Sequence, residues 1–302
     1  MRRWEVARAR AENGGRAPQR RAGIAPEPRR AILVDRFAAA RPLAHLAPPL
    51  APRPVNDTLT AALLLTLRRS AIMHFPIGPI TPDHPAPRPT HVVMEGQFGR
   101  LRPLDPARDG DRLYRLSHGE GAEALWAYLF TGPYPERDAF DRHLTTIAAG
   151  TTDPVYWAIA DRDDHAVGWL SLMRIDPTHR VIEVGSILYT PAMQRTALAT
   201  EVQYLLARYV FDSLGYRRYE WKCNDLNAPS RRAAVRLGFI HEGTFRQHML
   251  VKHRNRDTAW YAMLDREWPS CKHAFERWLA PENFDANGRQ RASLESVRAA
   301  AT

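Results

Sequence analysis

Fourteen of the chain's 24 prolines lie in its first 93 residues, and that clustering decides where regular structure can form. Proline has no amide to donate and fixes φ, so Pro48-Pro49 and the series Pro76, Pro79, Pro82, Pro85, Pro87 and Pro89 defeat helices and sheet ladders alike. Arginine and alanine fill the gaps, a composition that buries too little apolar surface to offset the entropy of ordering. Residues 1–93 are expected to be a disordered extension, or translation from a start assigned too early, with Met73 or Met94 as the true one. An arginine-rich organelle-targeting peptide is the next reading, weakened by the scarcity of serine. A short helix over 58–71 fits any of these. The extension holds fifteen arginines, no lysine and six acidic residues, so nearly all of the net charge of +10 sits in it and the remainder is close to neutral. A nucleic-acid-binding domain carries its basic stripe on the folded part, so no nucleic-acid partner is expected. The best apolar run, 59–67, is far short of the roughly 20 residues of a membrane span. Cys223 and Cys271, far apart, form neither a disulfide framework nor a paired metal spacing, and a reducing cytoplasm is expected.

From Met94 the texture becomes periodic. Residues 97–104 read as a strand, and 106–116, 121–130 and 136–149 as helices, the last with Phe140, Leu144 and Ile147 on one face. Strands follow at 155–160, 166–175 and 181–189, the first two joined by the acidic turn Asp161-Arg162-Asp163-Asp164. Over 196–213, Leu198, Val202, Leu205 and Tyr209 recur at helical spacing, with Gly215 as a stop. Residues 218–223 form a strand. Asn227 caps a helix with Pro229 in its first turn and Gly238 at its end. Residues 240–251 and 258–264 read as antiparallel strands around a turn at 252–257, and 267–279 as the last helix. Residues 281–302 are expected to be a loose tail. The order of elements specifies an α+β or α/β layered domain over 94–280 around a mixed sheet.

Three stretches carry chemistry. In Gln194-Arg195-Thr196-Ala197-Leu198-Ala199-Thr200 a strand hands over to a helix, whose head offers unpaired amides and partial positive charge, a setting that suits phosphate. Ala197 and Ala199 permit close approach, and Arg195 adds a full charge. An ordinary strand-to-helix turn has free amides too, so this stretch alone leaves both readings open. In Asn224-Asp225-Leu226-Asn227-Ala228-Pro229-Ser230, Asn227 and Ser230 can hydrogen-bond an amide-bearing ligand, or Asn227 simply caps its helix. Leu237-Gly238-Phe239, then Glu242, Gly243 and Arg246, lead from a helix stop into a strand. The aromatic residues Tyr219, Trp221, Trp260 and Tyr261 read as core, and His241, His248 and His253 show no metal spacing.

Together these pieces resemble the GNAT superfamily of N-acetyltransferases, and within it the RimJ/RimL-like group that acetylates ribosomal-protein N-termini. Gln194-x-x-Ala197-x-Ala199 is similar to that family's Gln/Arg-x-x-Gly-x-Gly/Ala turn, with alanine in place of the first glycine. Asn227, Ser230, Leu237–Phe239, Glu242, Gly243 and Arg246 follow in the family's order, and the resemblance covers about 94–268. It implies the α+β fold of the GNAT family, a mixed, mostly antiparallel sheet flanked by helices, and acetyl-CoA as cosubstrate, with no metal. The strand at 181–189 should splay from the one at 218–223, so that amides at Ile187, Leu188 and Tyr189 hold the pantetheine arm and the acetyl carbonyl. Amides from Gln194 and Arg195 through Thr196, Ala197, Leu198 and Ala199 to Thr200 should hold the pyrophosphate, with Asn227 and Ser230 across the arm. The general base is expected at Glu183, eleven positions before Gln194, with Glu220 and His179 as rivals. The family's usual acid, a tyrosine three residues before Leu-Gly-Phe, is replaced by Ala234, and Ser230 is the substitute. The acceptor implied is a protein or peptide α-amino group. A small-molecule amine, or a non-catalytic acyl-CoA-binding module on the same fold, are the alternatives. Whether the chain acts as monomer or dimer is not legible.

Overall fold

The computed structural model describes residues 77–300, so the expectations for 1–76 lie outside the described residues. The elements run β1 (Met94–Glu95), β2 (Gly99–Pro103), α1 (Pro106–Ser117), α2 (Glu123–Trp126), α3 (Arg137–Ala148), β3 (Val155–Asp161), β4 (Ala166–Asp176) and β5 (Val181–Tyr189). Then come α4 (Ala197–Arg208) with a π-helical turn (Tyr209–Ser213), β6 (Arg218–Asn224), α5 (Ala228–Leu237), β7 (Ile240–Val251), β8 (Arg254–Leu264), α6 (Trp268–Leu279) and α7 (Leu294–Ala299). The eight strands form one sheet in the order β1-β2-β3-β4-β5-β6-β8-β7, antiparallel throughout except for the parallel pair β5–β6. This is the α+β architecture that the resemblance to the GNAT family implied, and it decides between the two classes that the order of elements left open.

The unbroken apolar run of β3 is buried on both sides, as such a run requires. One face of the sheet presents Trp157, Leu170, Leu172, Val184, Tyr219 and Tyr261 to the main core with α4 and α6. The other face presents Tyr156, Ala158 and Trp169 to Phe140, Leu144 and Ile147 of α3 and to Leu113 of α1. Asp105 caps α1, its carboxylate accepting the amides of Ala107 and Arg108.

Four expectations shift. The helix over 121–130 shrinks to α2, because the Trp126 carbonyl is taken by Lys252 Nζ at 2.7 Å and Tyr128 reaches the Leu226 carbonyl at 3.1 Å, contacts that hold the segment against the β7–β8 arm and the β6–α5 connection. The turn at 252–257 narrows to Lys252-His253, both at positive φ, and β8 begins at Arg254. Two positive φ values match the strand twist of a tight hairpin, and the polar Arg254-Asn255-Arg256-Asp257 hid the strand. The segment after Leu279, expected to be loose, docks: Leu294 is buried, Trp278 bonds Gln290 at 3.0 Å, and Arg298 donates to the carbonyls of Arg236 and Val235 that end α5. Residues before Met94 also join the fold. The Ala86 amide donates to Pro177, Arg180 to the His84 carbonyl, and the Trp157 indole to Val92 at 2.9 Å, with Ala86 buried. Gly78–Thr302 forms one compact unit.

Candidate functional site

The sheet opens between β5 and β6. Their parallel pairing runs from Val181–Val184 against Arg218–Trp221 and stops there, although both strands continue. The cause lies in β5. Ser186 sits at φ +50°, and Ser186 with Ile187 opposes the single residue Leu170 of β4, a bulge that bends the strand away from β6. Beyond Val184 the β6-facing edge of β5, including Ile187, Leu188 and Tyr189, therefore has no strand partner among the described residues, the splay that the family resemblance implied.

Tyr189 ties this open end to the helix that follows. Its hydroxyl donates to the Ala199 carbonyl at 3.2 Å and accepts from Gln203 at 2.7 Å, and burial raises the phenol well above its ordinary value. The head of α4 is thus fixed beside the cleft. Thr196 caps it, accepting the Ala199 amide at 3.3 Å, while the amides of Gln194 and Thr196 go to the carbonyls of Thr190 and Met193. Of the seven residues read as a phosphate turn, Arg195, Ala197 and Leu198 keep amides with no acceptor among the described residues. Gln194 uses its side chain on the Tyr189 carbonyl, and Thr200 is buried with its hydroxyl accepting from Arg236 at 2.9 Å. The Arg195 side chain is exposed. Burial is the main effect on the Arg236 guanidinium and lowers its proton affinity; Glu295 opposes this and Arg298 adds to it.

Across the cleft, Asn227 caps α5, accepting the Ser230 amide at 3.2 Å, and the Ser230 hydroxyl accepts from the Trp221 indole at 3.0 Å. Burial pushes the neighbouring Cys223 thiol up, against a smaller opposing hydrogen bond from Ser230. Ala234 is wholly buried and offers no hydroxyl.

Glu183 stands on the opposite face of the sheet from Ser230, at the last turn of the pleat before the strands part. It is 3% exposed, and its oxygens hold Arg174 at 2.7 and 2.8 Å and Lys222 at 2.9 Å. The ladder continues from Lys222 to Glu220 at 2.6 Å, from Glu220 to Arg218 at 2.6 Å, and on to Glu242 at 2.5 Å. Arg218 lowers the Glu242 carboxyl. Glu220 is therefore engaged at both ends, and His179 lies exposed in the turn before β5, at the end of the strand away from the cleft.

Sequence reasoning missed the partners. Arg174 reaches Glu183 because it occupies a bulge of β4 at φ +48°. Lys222 does so because the β5–β6 register sets Glu183 opposite Glu220, two residues from Lys222 on the same face. The hydroxyl group beside the bulge was missed too: Ser171 donates to the Gly185 carbonyl at 3.0 Å, and Tyr156, which pairs with Ser171 across β3 and β4, has its phenol raised by burial. Alternation marks Tyr156 and Ser171 as same-face residues, but nothing local marks the bulge at Ser186. Trp260, read as core, has Lys222 Nζ 3.9 Å over its ring and is half-buried. Among the described residues one group, Asp161, Asp163 and His165, brings three potential metal ligands together, in the exposed β3–β4 turn, where Asp161 already accepts the amides of Asp163 and His165. No helix among the described residues is long and apolar enough to cross a membrane.

A family model described as an acetyltransferase (GNAT) domain matches residues 100–240. Among solved structures, the chain is 48% identical to a GCN5-related N-acetyltransferase from Brucella melitensis, covering 72% of this chain and 98% of that one at a TM-score of 0.70. It is 40% identical to a probable acetyltransferase of the GNAT family from Chromobacterium violaceum, covering 65% and 99% at a TM-score of 0.59. Among curated proteins it is 28% identical over 110 residues to a putative ribosomal N-acetyltransferase, YdaF, of Bacillus subtilis, covering 36% of this chain and 60% of that protein. It is 29% identical over 103 residues to the ribosomal-protein-serine acetyltransferase of Escherichia coli, covering 34% and 57%. The matches to these two curated relatives thus span less than two thirds of their length.

Proposed function

Because the chain belongs to the GNAT family of N-acetyltransferases, in its RimJ/RimL-like group, we propose that it transfers the acetyl group of acetyl-CoA to a primary amine by direct attack, the amine being the α-amino group of a protein or peptide. The observation that carries this reading is the parting of β5 from β6 beyond Val184, next to a helix head with unpaired amides. An extended thioester arm needs room between strands and backbone donors along one side; a diphosphate needs amides and positive potential. In this reading Ile187, Leu188 and Tyr189 line the arm and their amides polarise the acetyl carbonyl. Arg195 and the amides of Ala197 and Leu198 hold the diphosphate, and Asn227 and Ser230 border the arm from the β6 side.

Glu183 is the base. Arg174 and Lys222 fix its carboxylate in one orientation, and an amine reaches it from the side of Arg174, whose side chain is 38% exposed. Ser230 carries the proton toward the departing thiolate, which needs little help, since a thiol ordinarily titrates near 8.5. A protein α-amine, near 8, arrives with a larger neutral fraction than a lysine near 10.4, which suits a site without the family's tyrosine. The ribosomal-protein acetyltransferases among the relatives support a protein acceptor and a cytoplasmic setting.

One observation favours a second reading, a non-catalytic acyl-CoA-binding module: the acid position is the wholly buried Ala234. Two measurements on the same protein separate them. Acetyl-CoA at a hundred times its Kd should stabilise the fold by about 2.7 kcal/mol, seen as a rise of several degrees in Tm. Thiol release from acetyl-CoA should accelerate with a panel of peptide amines. A thermal shift without thiol release leaves the binding module; no shift at millimolar acetyl-CoA overturns both.

A further inference from the structure

Two arginines among the described residues are buried, Arg102 at 4% exposure and Arg256 at 6%. Arg102 is neutralised, holding Asp109 at 2.7 Å and Asp164 at 2.9 Å. Arg256 is not. Its Nε donates to the Thr258 hydroxyl at 3.2 Å and its guanidinium lies 4.8 Å from the centre of the Phe130 ring, and among the described residues no carboxylate pairs with it. A guanidinium keeps its charge at any physiological pH, and leaving such a charge buried and unpaired is costly. A hydroxyl and an aromatic face orient the group without neutralising it.

Its place in the sheet says what it faces. Arg256 lies on β8 two residues beyond Thr258, which pairs with Asn224, the last residue of β6, so this part of β8 runs past the end of β6. Register and alternation put Arg256, Thr258 and Trp260 on the same face as Lys222, Glu220 and Glu183. Burial is the largest effect on Arg256 and lowers its proton affinity, Cys223 and then Glu183 oppose it electrostatically, and Arg174 adds to it. Phe130 belongs to the segment after α2 that Lys252 and Tyr128 fasten to the arm and to the β6–α5 connection. A second donor on the same face of β8 also lacks a partner: the Trp260 indole nitrogen is buried with no acceptor.

From this we infer that Arg256 is the anchor for a carboxylate carried by the acceptor amine, so that the substrates are amines bearing a negative group: a peptide with an acidic side chain at its N-terminus, or a free amino acid through its α-carboxylate. The inference rests on the proposed acetyl transfer for the amine and on the geometry of Arg256 for the carboxylate. The free edge of a guanidinium matches a planar carboxylate with two parallel hydrogen bonds, and the Phe130 ring supplies an apolar wall beside it.

The test uses two matched pairs: tripeptide amides beginning with glutamate or glutamine, and alanine against alaninamide. Each is titrated calorimetrically into CoA-saturated full-length protein and assayed for acetylation. The charged member of one pair should bind about tenfold or more tightly and show the matching advantage in KM, and the pair that responds identifies the source of the carboxylate. Arg256→Gln should bring the ratio to about one, and Arg256→Lys, which keeps the charge without the fork, should restore part of it. A wild-type protein that does not discriminate within either pair overturns the inference, as does a preference that survives Arg256→Gln. If that variant does not fold, the wild-type comparison decides. Discrimination in binding with no acetylation of any amine would overturn the transfer reaction and leave the carboxylate site standing; acetylation of all four alike would do the reverse.

Discussion

Glu183 shows how much chemistry a single position can hold that its neighbours in sequence do not disclose. Its distance from Gln194 pointed to it; the two cations that fix it come from a positive-φ bulge at Arg174 and from a register between strands distant in the chain. Glu183→Gln keeps the shape and removes the proton acceptor. Turnover should fall by about 10²-fold at pH 7 with the acetyl-CoA Kd unchanged. The sign of the pH effect separates a base from a structural carboxylate. As pH rises toward the amine's own value near 8 more of the amine arrives neutral, so the deficit should shrink; a rate depressed equally at every pH would remove Glu183 from the acid–base role. Ser230 was found in the sequence by its place at a helix head, and the indole that holds its hydroxyl, Trp221, was read only as core, because strand alternation gives a side chain's face but not what its polar tip meets.

Among the elements, strands with buried alternation were the most legible: β5 has the bounds its sequence implies, since apolar residues end where Pro191 begins the next turn. The short α2 and the early start of β8 were not, because contacts with Lys252 and the pairing with β7 override local propensity there. The head of α4 was legible as a turn, but which amides stay free follows from the particular bonds of Gln194, Thr196 and Ala199. Arg195 adds its charge to that head from an exposed position. Arg195→Glu should therefore raise the Kd of acetyl-CoA by about tenfold, less at high salt because the site is solvent-screened, while Tm without ligand stays as in wild type. Unchanged affinity measured by calorimetry would move the diphosphate elsewhere.

At the scale of the whole molecule, proline density marked the extension and misplaced its end. Pro85, Pro87 and Pro89 lie in an extended strap along the domain, which proline permits because such a strap needs few amide donors. A chain beginning at Met94 loses the carbonyl of Val92, and the Trp157 indole is left with a buried donor unpaired. That chain should be less stable than one beginning at Gly78 by about 1–3 kcal/mol, several degrees in a thermal melt, and equal melting temperatures would show that the strap contributes nothing. The C-terminal segment was read as loose from its polarity, yet its one buried leucine and the two carbonyls claimed by Arg298 are enough to dock it, and both are single-residue features that composition averages away.

The insertion of β8 between β6 and β7 has a consequence for how the molecule is made. Synthesis delivers β6, then α5, then β7, and none of these can close the sheet, because the neighbour of both strands is still to come. Until Arg254–Leu264 has left the translating ribosome, β6 presents an open edge and β7 has no partner. The arm that carries Arg256 thus waits for β8, and a nascent chain stalled before it would expose the open edge of β6 and an unpaired β7 to its neighbours, the state in which aggregation competes with folding.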